Sequence, residues 1–136
     1  MPSLTGANQD YAHVASLSDG GFVITWQDYA GYDGSSYGVF AQRYDAAGVA
    51  QGGQFVLSTY TESTQFHEAV CAYSGGFAAV WSSVNPAAGG YHDIYLQRWN
   101  NDGTKAGAEL LVSSTPGDPT SAQAGHQYVP DIAALN

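Results

Sequence analysis

The chain has 136 residues, with 3 Lys and Arg against 12 Asp and Glu, a net charge of −9 with His neutral. Three cations cannot build the basic face that displaces counterions from nucleic acid, nor one that draws a protein onto anionic lipid, and no apolar run approaches the ~20 residues of a membrane helix. Charged residues make up only 11% of a chain with 17 Gly and 10 Tyr, a composition of sheets rather than of long helices.

The first expected strand is Val14–Leu17, short and apolar, closed by the turn Ser18-Asp19-Gly20-Gly21. Phe22–Gln27 follows and alternates Phe22, Ile24, Trp26 against Val23, Thr25, Gln27, the period of a pleated strand. A loop rich in Gly, Tyr and Ser, Asp28–Tyr37, leads to a third strand, Gly38–Tyr44. Asp45-Ala46-Ala47-Gly48 turns the chain into a fourth, Gln54–Ser58. The same order then returns as Ala69–Tyr73, Phe77–Trp81, Asp93–Trp99 and Glu109–Ser113, with the Asp102-Gly103 hairpin signal after the third. No stretch supports a helix of even three turns.

This return is a duplication. Gly21-Phe22 with Trp26 reappears as Gly76-Phe77 with Trp81, and Gln42-Arg43-Tyr44 as Gln97-Arg98-Trp99, all at an offset of 55. Upstream, Gln9 and Val14-Ala15-Ser16-Leu17 match Gln65 and Val70-Cys71-Ala72-Tyr73, and a third start appears at Gln127 with Ile132-Ala133-Ala134-Leu135. A single repeat module over 1–136 therefore divides into units 9–64 and 65–126 and the opening of a third, 127–136. Four antiparallel strands in succession, repeated, predict an all-β fold of β-propeller-like blades, two blades plus an extra first strand. The alternative is a β-sandwich, which gives no reason for the duplication.

Gly20-Gly21-Phe22-Val23-Ile24-Thr25-Trp26, Asp33-Gly34-Ser35-Ser36, Ala41-Gln42-Arg43-Tyr44-Asp45 and Asp93-Ile94-Tyr95-Leu96-Gln97-Arg98 resemble a repeat found in tandem in very large bacterial surface and secreted proteins. Many of those proteins also carry calcium-binding glycine-rich repeats and cadherin-like modules. The segment Gln127-Tyr128-Val129-Pro130-Asp131-Ile132-Ala133-Ala134-Leu135 fits the opening of the same pattern, so the resemblance runs from Gln9 onward. The second unit departs from it at Val84–Tyr91, which lacks the Asp-Gly-Ser. The resemblance implies an extracellular or cell-surface module of a bacterium, used for adhesion, binding or spacing, with no catalytic residue. The start, Met1-Pro2-Ser3-Leu4-Thr5-Gly6, has no basic or apolar region of a secretory signal.

Chemistry concentrates in the loops before the third strands. Asp28, Tyr29, Tyr32, Asp33 and Tyr37 set aromatic faces beside carboxylates, as sugar recognition requires, and Asn85, Tyr91, His92 and Asp93 hold the corresponding place in the second unit. These nine are the candidate ligand-binding residues of a lectin-like or adhesive module, with a glycan as the candidate ligand. The rival reading is a structural or assembly repeat with no small ligand. Asp28, Asp33 and Asp93 are weak candidates for calcium, the one cofactor to consider, although no run matches a calcium-loop pattern. Trp26 and Trp81 close equivalent strands and are expected to pack between blades. Gln42-Arg43 and Gln97-Arg98 are expected to be structural, each Arg paired with a carboxylate in a buried or half-buried place. The lone Cys71 excludes an intrachain disulfide and is expected to be a buried small hydrophobe. His13, His67, His92 and His126 have no metal-ligand spacing, and no nucleophile elbow, phosphate loop or zincin motif exists, so an enzyme is not expected. Two blades cannot cover their own faces, which predicts either a homo-oligomer, a trimer being favoured, or neighbouring repeats in a longer chain.

Overall fold

The computed structural model describes residues 8–29, 37–85, 91–115, 118–122 and 129–134, and among these it is all-β, without helix. The first unit forms β1 (Gln9–Ser16), β2 (Phe22–Asp28), β3 (Gly38–Tyr44) and β4 (Ala50–Val56). The second forms β5 (Gln65–Tyr73), β6 (Gly76–Asn85), β7 (Tyr91–Asn100) and β8 (Leu110–Leu111). Each set pairs antiparallel in sequence order, giving sheets β1-β2-β3-β4 and β5-β6-β7-β8. A short pair, β9 (Ser114–Thr115) with β10 (Asp118–Ala122), was not foreseen in the sequence.

The repeated Gly-Phe has a steric cause. A Cβ at Gly76 would strike the carbonyl oxygen of Trp99, and one at Gly21 would strike that of Tyr44. Only glycine lets the second strand of each unit start this close to the third. The repeated glutamine is also structural. Gln42 Nε2 donates to the carbonyls of Arg43 and Gly52 at 2.9 and 3.3 Å, and Gln97 Nε2 to those of Arg98 and Gly107 at 2.8 and 2.9 Å. Both side chains are buried, and in the first unit the bond bridges the register shift between β3 and β4. Backbone groups that the irregular ladder leaves unpaired are thus satisfied from a side chain.

Pleating assigns the faces. On the front of the first sheet Phe22 pairs with Tyr44, Ile24 with Gln42 and Trp26 with Phe40. On its back lie Val23 with Arg43, Thr25 with Ala41 and Gln27 with Val39. The front of the second sheet repeats the arrangement: Phe77 pairs with Trp99, Ala79 with Gln97, Trp81 with Tyr95. Stacking repeats with it, Phe22 on Tyr44 at 5.0 Å and Phe77 on Trp99 at 5.2 Å, Trp26 on Phe40 at 6.2 Å and Trp81 on Tyr95 at 6.5 Å.

The buried core joins Leu17, Val23, Val39, Ala41 and Leu57 of the first unit to Phe77, Ala79, Trp81 and Trp99 of the second. Hence the back of one sheet packs on the front of the next. Polar links run across the seam: Asn101 Nδ2 donates to Ser18 Oγ at 2.9 Å, Lys105 Nζ to Thr59 Oγ1 at 2.9 Å, and the Gln65 amide to the Tyr37 carbonyl at 3.1 Å. On the front of the first sheet Phe40 and Gln42 are buried, but among the described residues no second sheet packs there in the core. Phe22, Ile24 and Trp26 are half-buried there, while Trp81 and Trp99 are 1% exposed.

Several expectations change. Trp81 packs between the sheets, but Trp26, its counterpart, is half-buried on the front of the first sheet, outside the shared core. Arg98 is exposed instead of buried beside a carboxylate, its position on the far side of the second sheet leaving it in water. Arg43, on the back of the first sheet, is half-buried against Gly103 of the second unit and helps hold the Asp102 carboxyl below its ordinary range, after the Thr104 hydrogen bonds. Cys71 is half-buried, and burial pushes its thiol up. β1 and β5 begin at Gln9 and Gln65, earlier than the apolar pattern indicates, and β4 begins at Ala50. The opening of the third unit, at 129–134, carries no strand pairing.

Candidate functional site

The first strands of the two units break register at the same place. β1 shifts between Asp10 and His13 against β2, and β5 between Phe66 and Ala69 against β6. Each break holds a non-glycine residue in left-handed backbone, Tyr11 at φ 56° and His67 at φ 53°. Val129 does the same at φ 51°. All three stand two residues beyond the glutamine that opens a unit, Gln9, Gln65 and Gln127. Left-handed backbone costs an ordinary residue about 1–2 kcal/mol, most for a β-branched one. Its threefold recurrence marks the surface these residues share.

That surface is a pair of adjoining clefts. One, of about 400 Å³, is lined by Tyr11, His13, His67, Glu68, Val129 and Asp131 among others. The next, of about 270 Å³, takes Tyr11, Gln27, Tyr29, Tyr37, Phe66 and His67. Tyr11 and His67 form the wall between them, meeting edge to face at 5.7 Å. Tyr29 and Tyr37, at the two ends of the first long loop, meet edge to face at 4.5 Å. Phe66 is held between the His67 and His92 rings, at 4.8 and 4.9 Å.

At the base sits Glu68, only 2% exposed, with neither carboxylate oxygen hydrogen-bonded. Burial pushes this carboxyl up to about 8, opposed by its own backbone amide and then by the Gln27 side chain. The Gln27 Nε2 and His67 Nδ1 atoms are buried without partners too. Burial also raises the Tyr29 phenol, with added repulsion from Asp10, Tyr11, Tyr37 and Glu68. Unsatisfied buried polar groups cost about 1–3 kcal/mol each, more if charged, and several such atoms meet here, as others do elsewhere in both sheets.

Of the nine residues picked out in the sequence, Tyr29 and Tyr37 line the clefts. His92 reaches them through Phe66. Asp28 is buried and accepts a 3.1 Å bond from Gln9 Nε2, tying β1 to β2. Asp93 is fully buried at the start of β7, where burial raises its carboxyl and Ser113 Oγ lies 3.5 Å away. Tyr91 is exposed at the outer end of β7. Tyr32, Asp33 and the Asn85 side chain lie outside the described residues. Asp28 and Asp93 belong to different sheets, and among the described residues no three His, Cys, Asp or Glu side chains group to hold a metal. The sequence reading missed Tyr11, His13, Gln27, Phe66, His67, Glu68 and Asp131. A signal was present, since Glu68 is an acid that directly precedes the apolar run Ala69-Val70-Cys71-Ala72.

Comparison of the chain with family models, with curated proteins and with solved structures found no match.

Proposed function

We propose that this chain is a non-enzymatic binding module built of propeller-type blades, taking a glycan in the cleft between its two units. The carrying observation is the aromatic wall of Tyr11, Tyr29, Tyr37 and Phe66 around unsatisfied polar groups. Flat apolar rings match the faces of a sugar, and bare donors and acceptors match its hydroxyls. The resemblance to tandem repeats of bacterial surface and secreted proteins supports an extracellular setting, as part of an adhesive surface. A glycan array tests the reading: binding should be lost in the double variant Tyr29→Ala/Tyr37→Ala, with the melting temperature nearly unchanged. No binding by the parent protein on the array, with and without calcium, overturns it.

A second reading is favoured by one separate observation, the half-buried Phe22, Ile24 and Trp26 on the front of the first sheet. The equivalent front of the second sheet is sealed by the back of the first, which is the kind of contact that a further blade would make with the first front. Head-to-tail repetition of that contact closes a ring when the rotation per blade divides the circle. On this reading identical chains, or neighbouring repeats, complete the propeller, with three chains giving six blades. Light scattering at micromolar concentration tests it, and a cooperatively melting monomer overturns it.

A further inference from the structure

All three Lys and Arg lie away from the clefts. Arg43 and Arg98 stand near the turn ends of β3 and β7, and Lys105 bridges to Trp99 beyond the end of β7. The opposite ends of the strands, where the clefts open, carry Asp10, Asp28, Glu68 and Asp93, with Asp131 on the rim. Asp19, Asp45 and Asp102 share the turn end with these cations, whereas among the described residues no Lys or Arg lies at the cleft end beside Glu68.

The Glu68 carboxyl is the sharpest feature of that acidic end. It is enclosed, its nearest donors are its own backbone amide and Gln27 with no full hydrogen bond to either oxygen, and it lines a cleft shared with Tyr11, His13 and His67. A neutral sugar hydroxyl can give each oxygen a hydrogen bond but cannot balance a charge there. An ammonium group does both, since it brings three N–H donors and a positive charge to a low-dielectric place. The rings of Tyr11 and His67, in the same cleft, add a π-face attraction that is available only to a cation. A carboxylate reached in this way is strongly favoured over an empty, enclosed one.

We infer that the cleft selects a glycan bearing free amino groups, a glucosamine-type sugar whose ammonium is held by Glu68 against the Tyr11 and His67 rings. This rests on the glycan-binding reading above and names the ligand class for that site. In the empty cleft, desolvation keeps Glu68 as the neutral acid at neutral pH, with Tyr11, His13, Gln27 and Tyr29 of the first unit, His67 of its own strand and Asp131 around it. Arrival of an ammonium ionises it, and the proton passes to solvent. Acetylating the sugar nitrogen removes the charge and fills the space beside the carboxyl.

Calorimetric titration with a glucosamine tetramer and with its fully N-acetylated counterpart tests the inference on the intact chain. The amine oligomer should bind at least tenfold more tightly. Glu68→Gln, which keeps the size of the side chain and removes its ability to ionise, should abolish that preference while circular dichroism stays as in the parent and melting is no lower. Asp131→Asn, on the rim, should lower the preference by less. Equal affinity for the two oligomers, a preference for the acetylated one, or a preference that survives Glu68→Gln overturns the inference. Binding of neutral glycans without amine preference overturns it and leaves the glycan reading standing, whereas failure to bind any glycan removes both.

Discussion

The rings of Tyr11 and His67 meet edge to face at 5.7 Å, and both residues hold left-handed backbone, at φ 56° and 53°, at equivalent places in successive units. The bulge that twists each first strand also turns its aromatic side chain into a shared cleft. Strain of this kind persists only where surrounding structure over-determines it, and here the flanking ladders on β2 and β6 do so.

Val129, with φ 51° and 66% exposed, carries the same backbone without the ring contact. Val129→Gly should raise stability by about 1 kcal/mol, because relief of a β-branched left-handed residue exceeds the entropy that glycine adds to the unfolded chain. Urea unfolding checks it. A lower midpoint would mean that the Val129 side chain packs usefully against Tyr11 or His67.

Trp81 and Trp26 occupy the same place in their units but different environments. Trp81→Ala should cost about 3–5 kcal/mol, since it opens a cavity between the sheets. Trp26→Ala should cost about 1–2 kcal/mol in an isolated chain, where the ring is half-buried on an open face. Measured at rising protein concentration, the Trp26 penalty should grow if chains stack on that face. A penalty independent of concentration argues against such stacking.

Gln97 donates to two carbonyls from a fully buried position. Gln97→Leu, of similar size, strands both acceptors and should destabilise by about 1–3 kcal/mol. Thermal melts of this variant and of Gln42→Leu should show losses of the same order, as the two glutamines make the same bonds in both units. A neutral result at either position would show that water replaces the amide.

Glu68 couples stability to pH. Its folded value near 8 lies above the ordinary 4.5, so between these limits the folded chain holds a proton that the unfolded chain has released. Stability must therefore fall as pH rises from 4.5 to about 8 and level off above, by an amount on the order of 2–4 kcal/mol from this group. Glu68→Gln should flatten that slope and melt higher than the parent at pH 8.5. Melting curves from pH 5 to 9 read both effects, and parallel curves for the two proteins would place the carboxyl in contact with water or a cation.

The repeat was legible in sequence because its carriers, Gly21 with Gly76 and Gln42 with Gln97, answer to local constraints: a close carbonyl and an irregular ladder that needs a donor. Strand number and order followed from alternation. Strand starts did not, since the bulges at Tyr11 and His67 interrupt the period on which alternation depends. Half of the clefts was legible too, as Tyr29 and Tyr37 flank a loop of recognisable composition.

Composition, duplication and pleating thus determined, from sequence alone, an acidic all-β chain of two equivalent four-stranded units. Tertiary structure alone decided which face of each unit is covered. Phe22, Ile24 and Trp26 have the same alternation as Phe77, Ala79 and Trp81, yet only the second set meets the back of another sheet. Stacking direction is a relation between units, and no periodicity within a unit encodes it. Tertiary structure likewise brought Glu68 of the second unit beside Tyr11 and Gln27 of the first. A carboxyl enclosed by another sheet owes its burial and its missing partners to packing across a distance that local sequence does not register.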